Sequence, residues 1–243
     1  MRNFLLLSFL IGVLYVNVTA QIQSGTVIYN HTSSFDTKGM PPHMASSMPK
    51  SAVNSMELQF NSTQSLYQKN PNFKEEVNPN DNMPRFFKRM REMSVATFYK
   101  DMNNSQLLEQ ASFFGKDFLI EDSISNIKWK ISAGEQKMIA GYTCMKAYYK
   151  DSTYNLVAFF TPQIPVSQGP DIYSGLPGLI LEIQSADTHI IATEIKSGDV
   201  RIQKPGKGSK MTRKEFAKLK EDKIKEQSEM WGGQRSSNMR MPH

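Results

Sequence analysis

Alternating and β-branched runs bounded by turn residues recur along the chain, and their period of two is that of half-buried strands. The pattern predicts strands over residues 24–32, 55–60, 65–68, 94–100, 105–113, 117–121 and 127–131. After Gly134, residues 136–150 and 154–161 read as a long hairpin, and residues 178–184 with 189–197 as a second one. Some ten or eleven strands with no helices between them argue against a doubly wound sheet, so the predicted fold is mainly β. The expected architecture is a single large antiparallel meander, curled into a half-barrel or open barrel and followed by a C-terminal helix.

Residues 40–54 and 70–85 interrupt the pattern. They are rich in Pro, Ser and Asn, and read either as loops or as short helices packed across the sheet. At the other end, Thr212 and Glu215 stand in capping-box spacing ahead of a Lys- and Glu-rich run that Gly232-Gly233 should stop. The helix predicted there has a thin apolar stripe of Phe216, Leu219, Ile224 and Trp231, enough to dock lightly on the sheet. Residues 206–210 read as a flexible connector, since they lack the first glycine of a phosphate loop. The division expected is therefore residues 1–20, 21–200 as the β-rich domain, 201–233 as basic linker and helix, and 234–243 as a disordered tail.

Residues 1–20 have the zones of a secretory signal: Arg2, an apolar run from Phe4 to Val16, then Val18-Thr19-Ala20 before the cut. Cleavage would make Gln21 the first residue of a protein exported to the periplasm or the cell exterior. The apolar run is shorter than a bilayer requires and no later stretch approaches that length, so no membrane span is expected. Cys144 is the single cysteine, which forbids an internal disulfide and leaves the cut site without the cysteine a lipid anchor needs. Its commoner role is that of a small buried hydrophobe.

Charge changes the picture once it is divided. Of the 28 basic and 23 acidic residues left without Arg2, residues 196–243 hold 13 and 6, so the body is slightly acidic at 15 against 17. The basic excess sits in a Gly-, Lys- and Ser-rich tail rather than in a stripe interleaved with aromatics, which argues against nucleic acid as a partner. His31, His43, His189 and His243 lack zinc-motif spacing; no nucleophile elbow or phosphate loop occurs; and carboxylate neighbours such as Glu121-Asp122 point to opposite faces of a strand. No catalytic residue and no cofactor is expected. Fourteen methionines remain without Met1, and Met40, His43, Met44 and Met48 form a soft-ligand cluster suited to Cu(I), with Met239, Met241 and His243 as a second group. Methionine is equally a gap-filler and an oxidation target.

From Trp129 onward the chain reads Ile139-Ala140-Gly141-Tyr142-Thr143-Cys144-Met145-Lys146-Ala147, then Phe159-Phe160-Thr161, Ile164-Pro165 and Gly169-Pro170. It continues into Gly175-Leu176-Pro177-Gly178-Leu179-Ile180. This resembles the GLPGLI family of exported Bacteroidetes proteins, with phenylalanine where a tryptophan is expected near residues 159–161. The resemblance implies an envelope protein of a Gram-negative bacterium and carries over no activity. Physically, Pro177 and Gly178 predict a type II turn with positive φ at Gly178, while Gly175 permits a close approach and Leu176, Leu179 and Leu181 bury themselves. The same rigid loop could line a pocket. The expected function is non-enzymatic binding of a hydrophobic small molecule, a peptide or an envelope protein, with Cu(I) binding as the alternative.

Overall fold

The computed structural model describes residues 22–34, 50–73, 96–151 and 155–237. Its strands are β1 (Gly25–Ser34), β2 (Ser51–Phe60), β3 (Gln64–Lys69), β4 (Thr97–Asp101), β5 (Gln106–Phe113) and β6 (Lys116–Ser123). They continue with β7 (Lys130–Ile139), β8 (Tyr142–Lys150), β9 (Asn155–Thr161), β10 (Leu179–Gln184), β11 (Thr188–Ser197) and β12 (Ser209–Thr212), followed by the helix α1 (Arg213–Ser237). The twelve strands among the described residues form one sheet, in the order β12-β6-β5-β4-β3-β2-β1-β11-β10-β9-β8-β7. Two meanders, β2 to β6 and β7 to β11, are joined through β1, which pairs with both β2 and β11. Among the described strands only β12 pairs in parallel, with β6. The sheet is mainly antiparallel and open, with β12 and β7 as its edges.

Several predicted elements take a different form. The run 136–150 is two strands, because Ala140 and Gly141 both adopt positive φ, 47° and 84°, between the paired residues Ile139 and Tyr142. Two left-handed residues make the type I′ hairpin turn, and an alanine in the first position conceals a signal usually written Asn-Gly. Phe114-Gly115 turns the chain between β5 and β6 in the same way, with φ of 51° and 76°. Strand β7 begins at Lys130, so residues 127–129 of the predicted 127–131 strand lie outside it. Residues 51–54, read as part of an interrupting segment, open β2, while 40–49 and 74–85 lie outside the described residues.

The connector predicted at 206–210 leads into β12 from Ser209. Gly208 has φ 119°, and a Cβ there would stand 2.8 Å from backbone atoms of Asp117 and Phe118, so its glycine lets the chain lie down beside β6. Thr212 ends that strand and caps the helix: its N–H and Oγ1–H donate to Glu215 Oε2 at 2.7 and 2.8 Å, and the Glu215 N–H returns to Thr212 Oγ1 at 3.3 Å. Helix α1 continues through Gly232-Gly233 to Ser237, past the predicted stop. Phe216 is buried against Phe118 and Ile120 with Leu219 beside it, while the Ile224 and Trp231 side chains lie outside the described ones. No described helix is long and apolar enough to cross a membrane.

In β1 to β6 the pairing register sorts residues onto two faces, because directly opposed residues point the same way. One face carries Val27, Tyr29, Met56, Leu58, Phe60 and Tyr67, all essentially inaccessible. The other carries Leu66, Tyr99, Leu108 and Leu119, on which Ile202 of the β11–β12 linker packs. At the far end the sheet curls. Lys137 of β7 forms an ion pair with Glu182 of β10, although β8 and β9 lie between them and three flat strand spacings would span ~14 Å.

Candidate functional site

Between β9 and β10 the chain makes a long excursion over residues 162–178, and this loop lies on the apolar face. Proline at 162, 165, 170 and 177 limits its backbone, and short internal bonds shape it: Val166 N–H to Ile164 O at 2.8 Å, Leu179 N–H to the same carbonyl at 3.0 Å, Ile180 N–H to Gln168 O at 3.0 Å. Ile164, Val166 and Leu176 point into the main core together with Leu179 and Ile180. Burying these five chains supplies roughly 1.5–3 kcal/mol each.

Side chains from four other places fasten the polar groups of the loop and of the first residues of β10. Ser65 Oγ donates to Gln168 Oε1 at 2.8 Å, Trp129 Nε1 to Ser174 O at 2.9 Å, and Tyr29 Oη to Ile180 O at 2.6 Å. Lys100, which is completely buried, donates from Nζ to Gly169 O and Tyr173 O, both at 2.7 Å. Buried backbone carbonyls need such donors, and here lysine supplies two at once. Burial pushes the Lys100 ammonium down to about 7, against the attraction of Asp171. Burial likewise raises the Asp171 carboxyl to about 6, opposed by the Ile172 N–H bond at 2.7 Å and by Lys100. Glu109 and Arg213 continue this charged cluster toward the helix, where Arg213 bonds Glu109 and lies 3.1 Å from Asp122. An amine near neutrality in a buried site suits acid–base chemistry in principle. Here its two hydrogen bonds are directed at the loop backbone, and its chemistry is positioning.

The motif residues divide by burial. Leu176, Leu179 and Ile180 are buried, Gly178 is buried, and Gly175 and Pro177 are exposed. Gly178 does not take the positive φ that the type II turn demanded; Gly175 does, at 91° with open space around it. The roles of the two glycines are exchanged. A Cβ on Gly178 would stand 2.2 Å from Thr161 O, so glycine is required there by the passage of one backbone over another. Gly169 is similar, with Ile180 Cβ 2.8 Å from a built Cβ.

Lys100, Asp171 and Ser65 escaped the sequence reading. Lys100 was placed at the end of a strand, and its one signal is parity: it shares a face with Phe98, where the register expects an apolar residue. Met40, His43, Met44, Met48, Met239, Met241 and His243 lie outside the described residues. Among the described residues no group of three or more His, Cys, Asp and Glu is placed to hold a metal ion. His189 and Lys137 instead flank buried Glu182; burial would raise its pKa, but Lys137, Gln184 and His189 outweigh burial and hold it below its ordinary value.

Cys144 is buried, and burial with the nearby Glu182 pushes its thiol up to about 11. A maleimide at pH 7.5 is therefore expected to leave native protein unmodified over a time that labels the urea-unfolded chain fully, because the thiolate is both scarce and covered. Equal labelling rates, followed by mass spectrometry, would make it a reactive thiol.

Residues 150–182, which run from the end of β8 through β9 and the loop into β10, match a family described as "Protein of unknown function (Porph_ging)". A comparison with curated proteins finds no match. Among solved structures, "Structure of PNGF-II in P21 space group" is similar with a TM-score of 0.53 at 17% identity over 81% of this chain and 33% of that one. The C2 form of the same protein gives 0.51 at 16% identity over 80% and 32%. The likeness is one of fold, and this chain spans about a third of the length of the other.

Proposed function

We infer that the chain is an exported, non-enzymatic interaction protein of the bacterial envelope, of the GLPGLI kind, and that its partner is a polypeptide accepted at the β7 edge. The observation that carries this is the edge itself. Among the described residues β7 pairs only with β8, and Ile131 and Met138 on it are 47% and 65% exposed. Unpaired strand backbone beside apolar side chains is the usual template for an added strand. Lys128 and Lys130 are exposed beside it, favouring an acidic segment. A hydrophobic passenger is the weaker reading, because Ile164, Val166 and Leu176 of the protein's own loop already pack on the apolar face.

The test uses the mature chain from Gln21, whose first residue is checked by intact mass, with a photo-crosslinking residue at Gln136 in envelope preparations. A discrete crosslinked polypeptide is expected. It should disappear in an Ile131→Lys, Met138→Lys double variant whose stability changes by less than ~1 kcal/mol, as exposed substitutions usually do. Recovery of an extractable lipid with no crosslinked polypeptide would reject the edge in favour of a passenger.

A further inference from the structure

The opposite face of the sheet carries a second feature, independent of β7. The linker between β11 and β12 crosses it, pinned by Ile202 on Leu66, Tyr99, Leu108 and Leu119. Beside the pin lies a cavity of about 420 Å³, within the range of small-molecule sites. Its sheet wall is Gln59, Gln68, Thr97 and Gln110, and its linker wall includes Arg201 and Lys204. Thr97 and Gln110 are directly paired, so hydroxyl and amide project side by side.

Some of this polarity is engaged internally: Gln59 Nε2 donates to Glu57 Oε1 at 2.9 Å, and Lys204 Nζ to Gln106 Oε1 at 2.7 Å. The side chains of Gln68, Thr97, Gln110 and Arg201 form no hydrogen bond or ion pair with other described residues, although they line one space. Each amide offers both a carbonyl acceptor and two N–H donors, and threonine adds a group that does both. That inventory matches a ligand rich in hydroxyls, which also donate and accept. Arg201, with Lys204 beside it, adds a guanidinium suited to binding a carboxylate through two parallel bonds. Apolar side chains line it only at Leu66 and Pro205 against seven polar ones, which disfavours a lipid.

We propose that this cavity binds a small hydroxylated carboxylate of the sugar-acid class, its carboxylate on Arg201 and its hydroxyls on the amides of Gln68 and Gln110. The experiment is titration calorimetry of the mature chain with galacturonate, galactose and glutarate. Galacturonate should bind, and Arg201→Gln and the double variant Gln68→Met, Gln110→Met should each weaken it about tenfold or more, the scale of losing charged or paired hydrogen bonds. All these positions are at least partly accessible, and thermal melting confirms that each variant is folded. No galacturonate binding, or equal binding in the variants, overturns the site. Galactose binding as tightly overturns the anion assignment, and glutarate binding as tightly overturns the hydroxyl assignment.

Discussion

Gly178→Ala is expected to lower the stability of the mature chain by ~3 kcal/mol or more, and Gly178→Val by more still. Even the smaller change places a carbon 2.2 Å from Thr161 O and 2.7 Å from its carbonyl carbon, both backbone atoms of a paired strand that cannot swing aside as a side chain would. Relief requires moving the end of β9 or lifting Leu179 from its place in the core, and overpacking of that kind costs ~1–3 kcal/mol before register is disturbed. For a domain of this size that corresponds to a fall in Tm of roughly 6–12 °C. Gly175→Ala is the control. It meets open space but holds φ at 91°, so its cost is about 1 kcal/mol from backbone strain alone. A Tm series in which the Gly175 variant falls further than the Gly178 variant would contradict the close-approach reading.

Lys100→Met is the second variant with a large effect, and it also changes how stability depends on pH. The carbonyls of Gly169 and Tyr173 would lose their donor in a buried setting, a loss of ~2–4 kcal/mol for the pair. In the unfolded chain Lys100 returns to its ordinary value near 10.5, whereas in the folded protein it lies at about 7. Between these values the unfolded chain holds more of that proton, so stability rises with pH from about 7 toward 10.5. Asp171 works in the other direction. Its folded value of about 6 exceeds the ordinary 3.8, the folded state holds the proton more tightly, and stability falls as pH rises from 3.8 to 6.

The two contributions leave a minimum between pH 6 and 7. Glu109 and Arg213 face the same cluster, and the charge of Arg213 opposes the rise of the Asp171 carboxyl. Above pH 10 the trend reverses, since burial raises the Tyr29 and Tyr67 phenols and the folded state then retains their protons. Urea midpoints measured from pH 5 to 9.5 should show the trough in the native sequence. In Lys100→Met the rise above pH 7 should vanish while the fall below pH 6 remains. An unchanged alkaline rise would mean that other groups produce it.

How far the fold was legible depended on where the signal is local. The alternating or β-branched runs of β1, β2, β5, β10 and β11 are carried by each strand's own residues, and those strands lie where the pattern puts them, within two residues at their ends except that β2 starts four residues earlier. The capping box at Thr212 and Glu215 is similarly local, a pair of side chains three residues apart that answer each other's backbone. The turn at Ala140-Gly141 was not legible, because alanine accepts a left-handed conformation there only under the pull of two strands already paired. Strand β12 was hidden for the same reason: Ser209–Thr212 has little strand character and is extended because β6 offers it an edge.

The candidate site marks the same boundary. The hexapeptide 175–180 stood out as a motif, and the burial of Leu176, Leu179 and Ile180 follows from their being apolar. Which glycine needs a left-handed backbone and which needs empty space depends on Thr161, seventeen residues earlier, and on a crossing that exists only once β9 and β10 are paired. Lys100 is further removed, since it meets Gly169 and Tyr173 only through the folding of the loop onto β4. By itself, then, the sequence determined a strand-rich chain with a capped terminal helix and a buried apolar motif, because burial and hydrogen bonding are decided within a few residues. Only the tertiary structure decided that the loop covers the sheet, that a lysine holds it there, and that β7 is left as an open edge. Those depend on contacts between residues far apart in the chain, for which no short stretch carries a signal.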